Sequence, residues 1–157
     1  MLRLDIRRTH RTVRFADGEV LQAGQCFGML HLNNERVGRL HRAPSPMAVG
    51  IRFRRELLES LHVLALLTRM DGPFADINAF AAITILHGSL VHLGFELDRH
   101  RLALPSLTGA YQRALLASLH PWGARRVIRF AHCEAERLWM SRRRLQALYG
   151  TVDRSAA

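Results

Sequence analysis

The chain has 157 residues, of which 48% are hydrophobic and 23% charged, and its formal net charge at pH 7 is +10. This length and composition suit one soluble globular domain and exclude a dependence on disulfide or metal staples, because a core can form without them. All 23 basic residues other than histidine are arginines. A charge this strong favours acidic partners, namely nucleic acid, phospholipid, or anionic sugar and phosphate groups.

The N-terminal segment favours a protein that is not secreted. Residues 1–14 are rich in arginine and contain no apolar core, so they do not form a signal peptide. The longest clean apolar run, residues 79–86, is too short to cross a bilayer. Cys26 and Cys133 make no CxxC motif, which predicts two buried free thiols in a reducing compartment. We therefore expect a cytoplasmic protein that can still touch the inner membrane surface.

The first third of the chain predicts antiparallel strands. Asp17-Gly18 lies between two extended runs and predicts a hairpin with a type I′ turn, and Gly24-Gln25 predicts a further turn. Residues 26–32 form a second apolar stretch whose end reads as a buried strand, on which His31 points away from the two neighbouring leucines. Asn33-Asn34 then predicts a turn, because asparagine side chains bond nearby backbone.

The middle of the chain predicts a long helix followed by a buried strand. Ser45 is suited to cap the helix, with Pro46 at its first position, and the chain cannot continue the helix beyond Asp71-Gly72-Pro73. Apolar residues recur at helical spacing within it, namely Phe53, Leu57, Leu61, Leu64 and Ala65. Residues 77–86 then predict a strand, 87–93 a short helix and 95–98 a half-buried strand.

The last third predicts two more helices around one strand. The first follows Pro105 and Thr108, has a core stripe of Tyr111, Leu115, Leu116 and Leu119, and is broken at residues 120–123. Residues 127–130 are an uncertain segment, 138–140 a strand, and Ser141 caps a helix that Gly150 closes. We expect one α+β domain over residues 1–150, with a mainly antiparallel twisted sheet, helices on one face, and a disordered tail at 151–157.

A candidate catalytic group lies at the end of the predicted strand. An imidazole side chain is suited to general acid–base chemistry, which makes His31 a candidate, and Asn34 and Glu35 are close enough in sequence to orient it. The alternative is a turn whose polar side chains bond only to local backbone. The sequence contains no P-loop, GxGxxG, HExxH or GxSxG motif, which argues against a nucleotide hydrolase, a zincin and an α/β-hydrolase.

The nine histidines raise the question of a metal site. His31, His87, His92 and His120 could meet only if the fold brought them together, and their spacing matches no zinc motif. We therefore expect ordinary hydrogen-bonded histidines, with no metal and no cofactor.

A candidate anion site lies at the last helix, where Ser141 is followed by Arg142, Arg143 and Arg144. Cations at a helix N-terminus oppose the macrodipole. A bound anion held by free backbone N–H groups and guanidinium groups would remove that conflict. The alternative is a solvated arginine face.

Three stretches together resemble the YkoP-like domain family. Residues 28–37, GMLHLNNERV, resemble its strand-end LHLxN motif, and residues 82–96 resemble its block that ends in LGFE. Residues 137–150, RLWMSRRRLQALYG, resemble its C-terminal block of W, S, L and YG. The segment from Asp17-Gly18 to Gly24 also resembles the family's DG-x-x-x-x-x-GD pattern, although Gln25 stands where that pattern has an acid. The resemblance spans residues 13–150.

The resemblance implies a bacterial domain that occurs in some proteins fused to polysaccharide deacetylases, and hence a place in envelope polysaccharide or lipid-linked sugar metabolism. The family has no established catalytic residues, so the resemblance assigns none. We favour an accessory or binding domain for an anionic envelope component, such as a sugar phosphate or phospholipid head group. The first alternative is a small enzyme that uses His31. Nucleic-acid binding is the weaker alternative, because aromatic residues are not interleaved with the arginines.

Overall fold

The computed structural model describes residues 1–40, 45–119 and 132–151. The predicted helix break at 120–123, the uncertain segment at 127–130 and nearly all of the predicted tail lie outside these residues. The strands are β1 (Leu2–Arg8), β2 (Val13–Arg14), β3 (Val20–Leu21), β4 (Cys26–Leu32), β5 (Ala79–Thr84), β6 (Glu96–Leu97) and β7 (Glu136–Ser141). The helices are α1 (Asn34–Leu40), α2 (Pro46–Leu67), α3 (His87–Val91), α4 (Pro105–Leu119) and α5 (Arg142–Tyr149).

Five strands form the main sheet in the order β1-β4-β5-β7-β6, and β2 and β3 form a separate two-stranded sheet. Only β4 and β5 pair in parallel within the main sheet, while its other pairs are antiparallel. This confirms the predicted α+β domain with a mainly antiparallel sheet.

One face of the main sheet packs on helices. Leu30, Phe80 and Leu138 project from three adjacent strands on this face, and they join a cluster that includes Leu61 of α2 and Leu145 of α5. Phe80, Leu61, Leu138 and Leu145 have no exposed surface. This is the helical face that the amphipathic pattern of α2 predicts.

Within the described residues, the opposite face is covered by the β2–β3 hairpin rather than by a helix. Val13, Phe15 and Leu21 of the hairpin pack against Phe27, Met29 and Trp139 of the sheet. The rings of Phe27 and Trp139 lie with centroids 5.0 Å apart. The centre of the sheet is therefore buried on both faces, which explains why the central strand β5 is almost continuously apolar.

Gly28 permits close packing on the helical face. A Cβ atom at Gly28 would lie 2.4 Å from Leu4 Cδ1 and 2.9 Å from Phe80 Cδ1. Both distances are too short for carbon atoms, so only glycine leaves room for these two side chains over β4.

Several sequence predictions are confirmed in detail. Ser45 caps α2 by accepting a hydrogen bond from the Ala48 N–H, and Pro46 opens the helix. Ser141 caps α5 in the same way through Arg144, and the Gly150 N–H bonds to Gln146 at its end. Cys26 and Cys133 are free, although both are half-buried rather than buried.

The local predictions at Asn33-Asn34 and at Tyr111 are wrong. Asn33-Asn34 is the start of α1 rather than a turn, since Asn33 Oδ1 accepts from the Arg36 N–H at 3.3 Å. Asparagine suits helix N-caps and turns equally well, so its presence alone does not separate them. Tyr111 does not belong to a core stripe of α4, because its side chain is 66% exposed.

Helix α4 is instead attached through polar side chains. Gln112 donates to the carbonyl of Ile83 at 2.7 Å and accepts from the N–H of Ile85 at 2.8 Å. Arg113 donates to the carbonyl of Cys133. These bonds satisfy backbone groups at the end of β5, and they reduce the need for an apolar stripe on the helix.

Candidate functional site

A groove of about 820 Å³ lies between the edge strand β1 and helix α2, with α1 at one end. We call it the β1–α2 groove. Its apolar floor is formed by side chains from β1, β4, α2 and the loop that follows α2, namely Leu2, Leu4, Leu30, Leu64, Leu67 and Phe74.

The alternation of β1 explains the apolar floor. Leu2 and Leu4 pair with Leu32 and Leu30 of β4 and share the helical face of the sheet. Arg3 and Asp5 point to the other face. From α2, Ser60, Val63 and Leu67 reach the groove at helical spacing. The groove is therefore a strand face and a helix face that do not fully close on each other.

Arginines lie at only one end of this groove. Arg36 and Arg39 stand three residues apart on α1, and Arg55 lies on the first half of α2. Glu56 and Glu59 line the same end, and Arg55 Nε lies 3.6 Å from Glu59 Oε1. Within the described residues, Arg36 and Arg39 form no ion pair with an acid, so their guanidinium groups are available to an external anion.

The direction of β1 separates this polar end from an apolar end. Leu2 lies opposite Leu32, next to the start of α1, whereas Ile6 lies opposite Gly28 at the far end of the pair. Beyond Arg55 and Glu59, the α2 residues that line the groove are Ser60, Val63, Leu64 and Leu67. The groove is thus charged near α1 and apolar toward the end of α2.

The predicted catalytic residues lie outside the groove. The side chain of His31 points away from Leu30 and Leu32 as predicted, and it is exposed. Asn34 and Glu35 are also exposed on the first turn of α1. In the described part of the chain none of the three side chains makes a hydrogen bond, and none lines the β1–α2 groove. Their catalytic role stays a prediction.

The predicted anion site at α5 is surrounded by acids of the chain itself. The Ser141 hydroxyl donates to the carboxylate of Asp17, at the tip of the β2–β3 hairpin. Arg143 Nη1 lies 3.7 Å from Glu19 Oε1. Arg142 donates to the carbonyl of Ala75, and its backbone N–H bonds to Asn78 at 2.9 Å. Arg144 is exposed.

Asp17 and Glu19 therefore supply negative charge to the N-terminus of α5. This arrangement relieves the macrodipole conflict that the sequence raised, without any ligand. An external anion would have to compete with both carboxylates, and the role of Ser141–Arg144 in anion binding stays a prediction.

A buried carboxylate lies on the hairpin face of the sheet. The side chain of Asp98 is 3% exposed and pairs with Arg11, while Arg137 NH1 lies 3.6 Å away. Trp139 Nε1 donates to Asp98 at 2.9 Å, and the His100 N–H does the same. Burial alone raises the pKa of Asp98, but these hydrogen bonds and guanidinium charges together lower it below its ordinary value.

Asp98 ties together three segments that are distant in sequence, because Arg11 precedes the hairpin and Trp139 lies in β7. Asp98 does not line the β1–α2 groove, and the groups that bond to it belong to the chain itself. We interpret this cluster as structural.

Over residues 1–40, 45–119 and 132–151, no three of the histidine, cysteine, aspartate and glutamate side chains are placed to hold a metal ion. His120 lies outside these residues, and His31, His87 and His92 belong to no such group within them. Within the same residues, no helix is long and apolar enough to cross a membrane.

Sequence reasoning missed the groove although parts of its signal were present. Leu2, Leu4 and Ile6 alternate with charged residues, which predicts a strand with one apolar face. The three-residue spacing of Arg36 and Arg39 becomes informative only with a helix at Asn34–Leu40, which a turn at Asn33-Asn34 does not predict.

Comparison with known proteins identifies one family. The model of the YkoP domain matches residues 2–149, and no curated protein and no solved structure matches the chain. The matched range includes every strand and helix of the fold. The chain therefore belongs to the YkoP domain family.

Proposed function

We propose that this domain binds an anionic amphiphile of the cell envelope, with an apolar chain and a phosphorylated, hydroxyl-bearing head group. The observation that carries the proposal is the polarity of the β1–α2 groove, with arginines at the α1 end and an apolar floor beyond it. A site of this kind matches one ligand class, in which charge and apolar surface occupy opposite ends.

The phosphate would lie at Arg36 and Arg39. Guanidinium groups bind phosphate oxygens through paired N–H donors, and two neighbouring guanidinium groups bind more strongly than one. Both side chains are exposed, so a ligand reaches them from solvent.

The acids at the same end favour a head group that also carries hydroxyls. Glu56 accepts hydrogen bonds but donates none, so it offers acceptors to hydroxyls on a head group whose phosphate lies at Arg36 and Arg39. Sugar hydroxyls would donate to Glu56, and the amide of Asn33 and the hydroxyl of Ser60 add further polar groups. A sugar phosphate therefore suits this end better than a simple phosphate.

The apolar chain would lie along α2. From Arg55 to Leu67 the helix advances roughly 18 Å at 1.5 Å per residue. Every buried methylene of the ligand then contributes about 0.8 kcal/mol at most. The apolar part of the ligand thus supplies affinity, and the arginines supply selectivity for an anion.

The groove supports this function better than the alternatives do. At α5 an external anion would compete with the carboxylates of Asp17, bonded to Ser141, and of Glu19, near Arg143. The enzyme hypothesis places His31, Asn34 and Glu35 outside the groove. We therefore assign the head group to Arg36 and Arg39.

Calorimetric titration with geranyl phosphate tests the proposal. We expect binding of geranyl phosphate, with geraniol and inorganic phosphate each binding at least about tenfold more weakly, because each lacks one half of the ligand. The double variant Arg36→Gln, Arg39→Gln should also bind geranyl phosphate about tenfold more weakly.

The matched control is Arg143→Gln, Arg144→Gln, which removes the same charge from α5. This variant should bind as the wild type does. Equal weakening in both double variants would mean that net charge alone attracts the ligand. A wild type that does not bind geranyl phosphate overturns the proposal.

A further inference from the structure

Four apolar side chains are exposed together at the C-terminal end of α2. They are Val63, Leu66, Leu67 and Met70, with exposed fractions of 54%, 38%, 36% and 84%. We call this set the α2 apolar patch. Exposed apolar side chains that cluster in this way mark an interaction surface more often than scattered ones do.

The α2 apolar patch continues the floor of the β1–α2 groove. Val63 and Leu67 belong to both. Phe74, which follows the patch in sequence, lines the groove as well. On β1, Leu4 leads in the same direction to Ile6, which is 52% exposed. The apolar end of the groove therefore opens onto apolar surface rather than onto a polar rim.

The net charge of the chain suits an anionic surface. Beside the patch, Arg69 is an exposed cation, and the exposed Asp71 offsets it locally. The whole chain adds a net charge of +10. A soluble protein partner would be expected to supply complementary shape, whereas an anionic bilayer needs only exposed apolar side chains on a protein of positive net charge.

We propose that the α2 apolar patch inserts into the surface of an anionic bilayer and that the groove takes up its ligand from that bilayer. This inference rests on the proposed function for its second half, since the patch continues the groove that would hold the ligand chain. Insertion brings the groove's apolar end against the acyl chains. An amphiphile could then slide into the groove without exposing its chain to water.

Co-sedimentation with vesicles tests this inference. Vesicles of equal parts phosphatidylcholine and phosphatidylglycerol should bind the wild type, and vesicles of phosphatidylcholine alone should bind it less. The double variant Leu66→Gln, Met70→Gln should bind the mixed vesicles about tenfold more weakly, because two inserted side chains are lost. Neither position lines the groove, so this variant should still bind geranyl phosphate in solution.

The matched control is Leu104→Gln, Leu107→Gln. These leucines are 62% and 65% exposed near the start of α4 and do not line the groove. Their replacement should leave vesicle binding unchanged. Circular dichroism melts on all variants establish that each is folded before it is compared.

The outcomes separate the two proposals. Binding of geranyl phosphate without any binding of mixed vesicles overturns this inference and leaves the proposed function intact. Vesicle binding without binding of geranyl phosphate keeps membrane insertion and overturns the proposed function. Equal loss of vesicle binding in the patch variant and in the Leu104→Gln, Leu107→Gln control assigns the interaction to general hydrophobicity and overturns the inference. A wild type that forms a dimer which the patch variant abolishes assigns the patch to a second copy of the chain.

Discussion

The environment of Asp98 shows how a single buried charge is held. Four donors approach this carboxylate, two of them guanidinium groups and one the indole of Trp139. A carboxylate in an apolar layer is costly unless its lone pairs are satisfied, and here each oxygen has a partner. The charge therefore fixes how the segment before the hairpin meets β6 and β7.

Replacing Asp98 with asparagine should lower the free energy of unfolding at pH 7 by about 2–3 kcal/mol, because two arginines lose their counter-charge. Urea unfolding measures this loss. The matched control is Asp5→Asn. Asp5 pairs with Arg7 on the exposed surface, and a pair of that kind is worth about 0–1 kcal/mol.

The contribution of Asp98 to the free energy of unfolding should also depend on pH. Its pKa in the folded state lies below the ordinary value of 3.8, so its contribution is complete above about pH 4. It is lost as pH falls through the folded pKa, because the protonated acid no longer balances the arginines. The stability difference between wild type and Asp98→Asn should therefore shrink below pH 4. A difference that stays constant down to pH 3 contradicts the ionic account.

At the residue scale the sequence predicts the face to which a side chain points better than it predicts the residues that the side chain contacts. The alternation of a strand is enough to place His31 on the face opposite Leu30 and Leu32. It cannot show that the hairpin stops short of His31 and leaves the side chain exposed. Likewise, the cap at Ser141 was predictable from its position, whereas its second bond, to Asp17, joins residues that are distant in sequence.

At the element scale, the β2–β3 hairpin was predicted correctly but with the wrong turn. A type I′ turn needs positive φ at both Asp17 and Gly18, and Gly18 has φ +87° whereas no residue other than glycine has positive φ in the described part of the chain. The Gly18 N–H bonds to the Phe15 carbonyl, and the Phe15 N–H bonds to Glu19. The turn is a three-residue loop closed by a left-handed glycine.

Gly18→Ala should therefore cost about 1–2 kcal/mol of stability, because an alanine at this φ is strained even though nothing lies near its Cβ. Gly18→Asn should cost less, since asparagine tolerates this conformation. Chemical unfolding of the two variants gives the comparison.

The matched control for the hairpin is Gly50→Ala. Gly50 lies within α2 with open space around it, so the same added methyl group should stabilise the protein by about 0.5–1 kcal/mol. Similar changes at both positions would show that the backbone conformation of Gly18 is not the cause.

Elements with a strong period were predictable and the short ones were not. Helix α2 is predicted by its apolar spacing and by the cap at Ser45. Strand β7 is predicted by the apolar segment before Ser141. The predicted end of α2 at Asp71 is late, because Thr68 already caps the helix. Helix α1 has seven residues and no room for an apolar stripe, so periodicity carries little information there.

At the scale of the whole molecule, the β1–α2 groove could not be predicted. It combines β1, α1 and α2, and its volume depends on how closely a strand and a helix pack. The predicted sites were instead local in sequence, at residues 31–35 and 141–144. Family membership could be predicted from sequence because three stretches, spread over most of the chain, resemble the family's motifs in the same order.

The net charge of +10 leads to a prediction for the intact protein. Excess positive charge destabilises the folded state through self-repulsion, and salt screens it over a distance of about 30 Å at 0.01 M and 10 Å at 0.1 M. The melting temperature should therefore rise by a few degrees when sodium chloride is raised over this range. Differential scanning fluorimetry at fixed pH measures the shift.

The double variant Arg52→Gln, Arg54→Gln serves as the control for this charge effect. Both arginines are exposed on α2, and within the described residues neither forms an ion pair, so their removal lowers the charge without breaking a contact. The variant should melt higher than the wild type at low salt and respond less to added salt, because less repulsion remains to be screened. A melting temperature that falls with salt would instead mean that ion pairs such as Arg11–Asp98 outweigh the repulsion. In that case the arginine content would stabilise the fold rather than prepare its surface for an anionic partner.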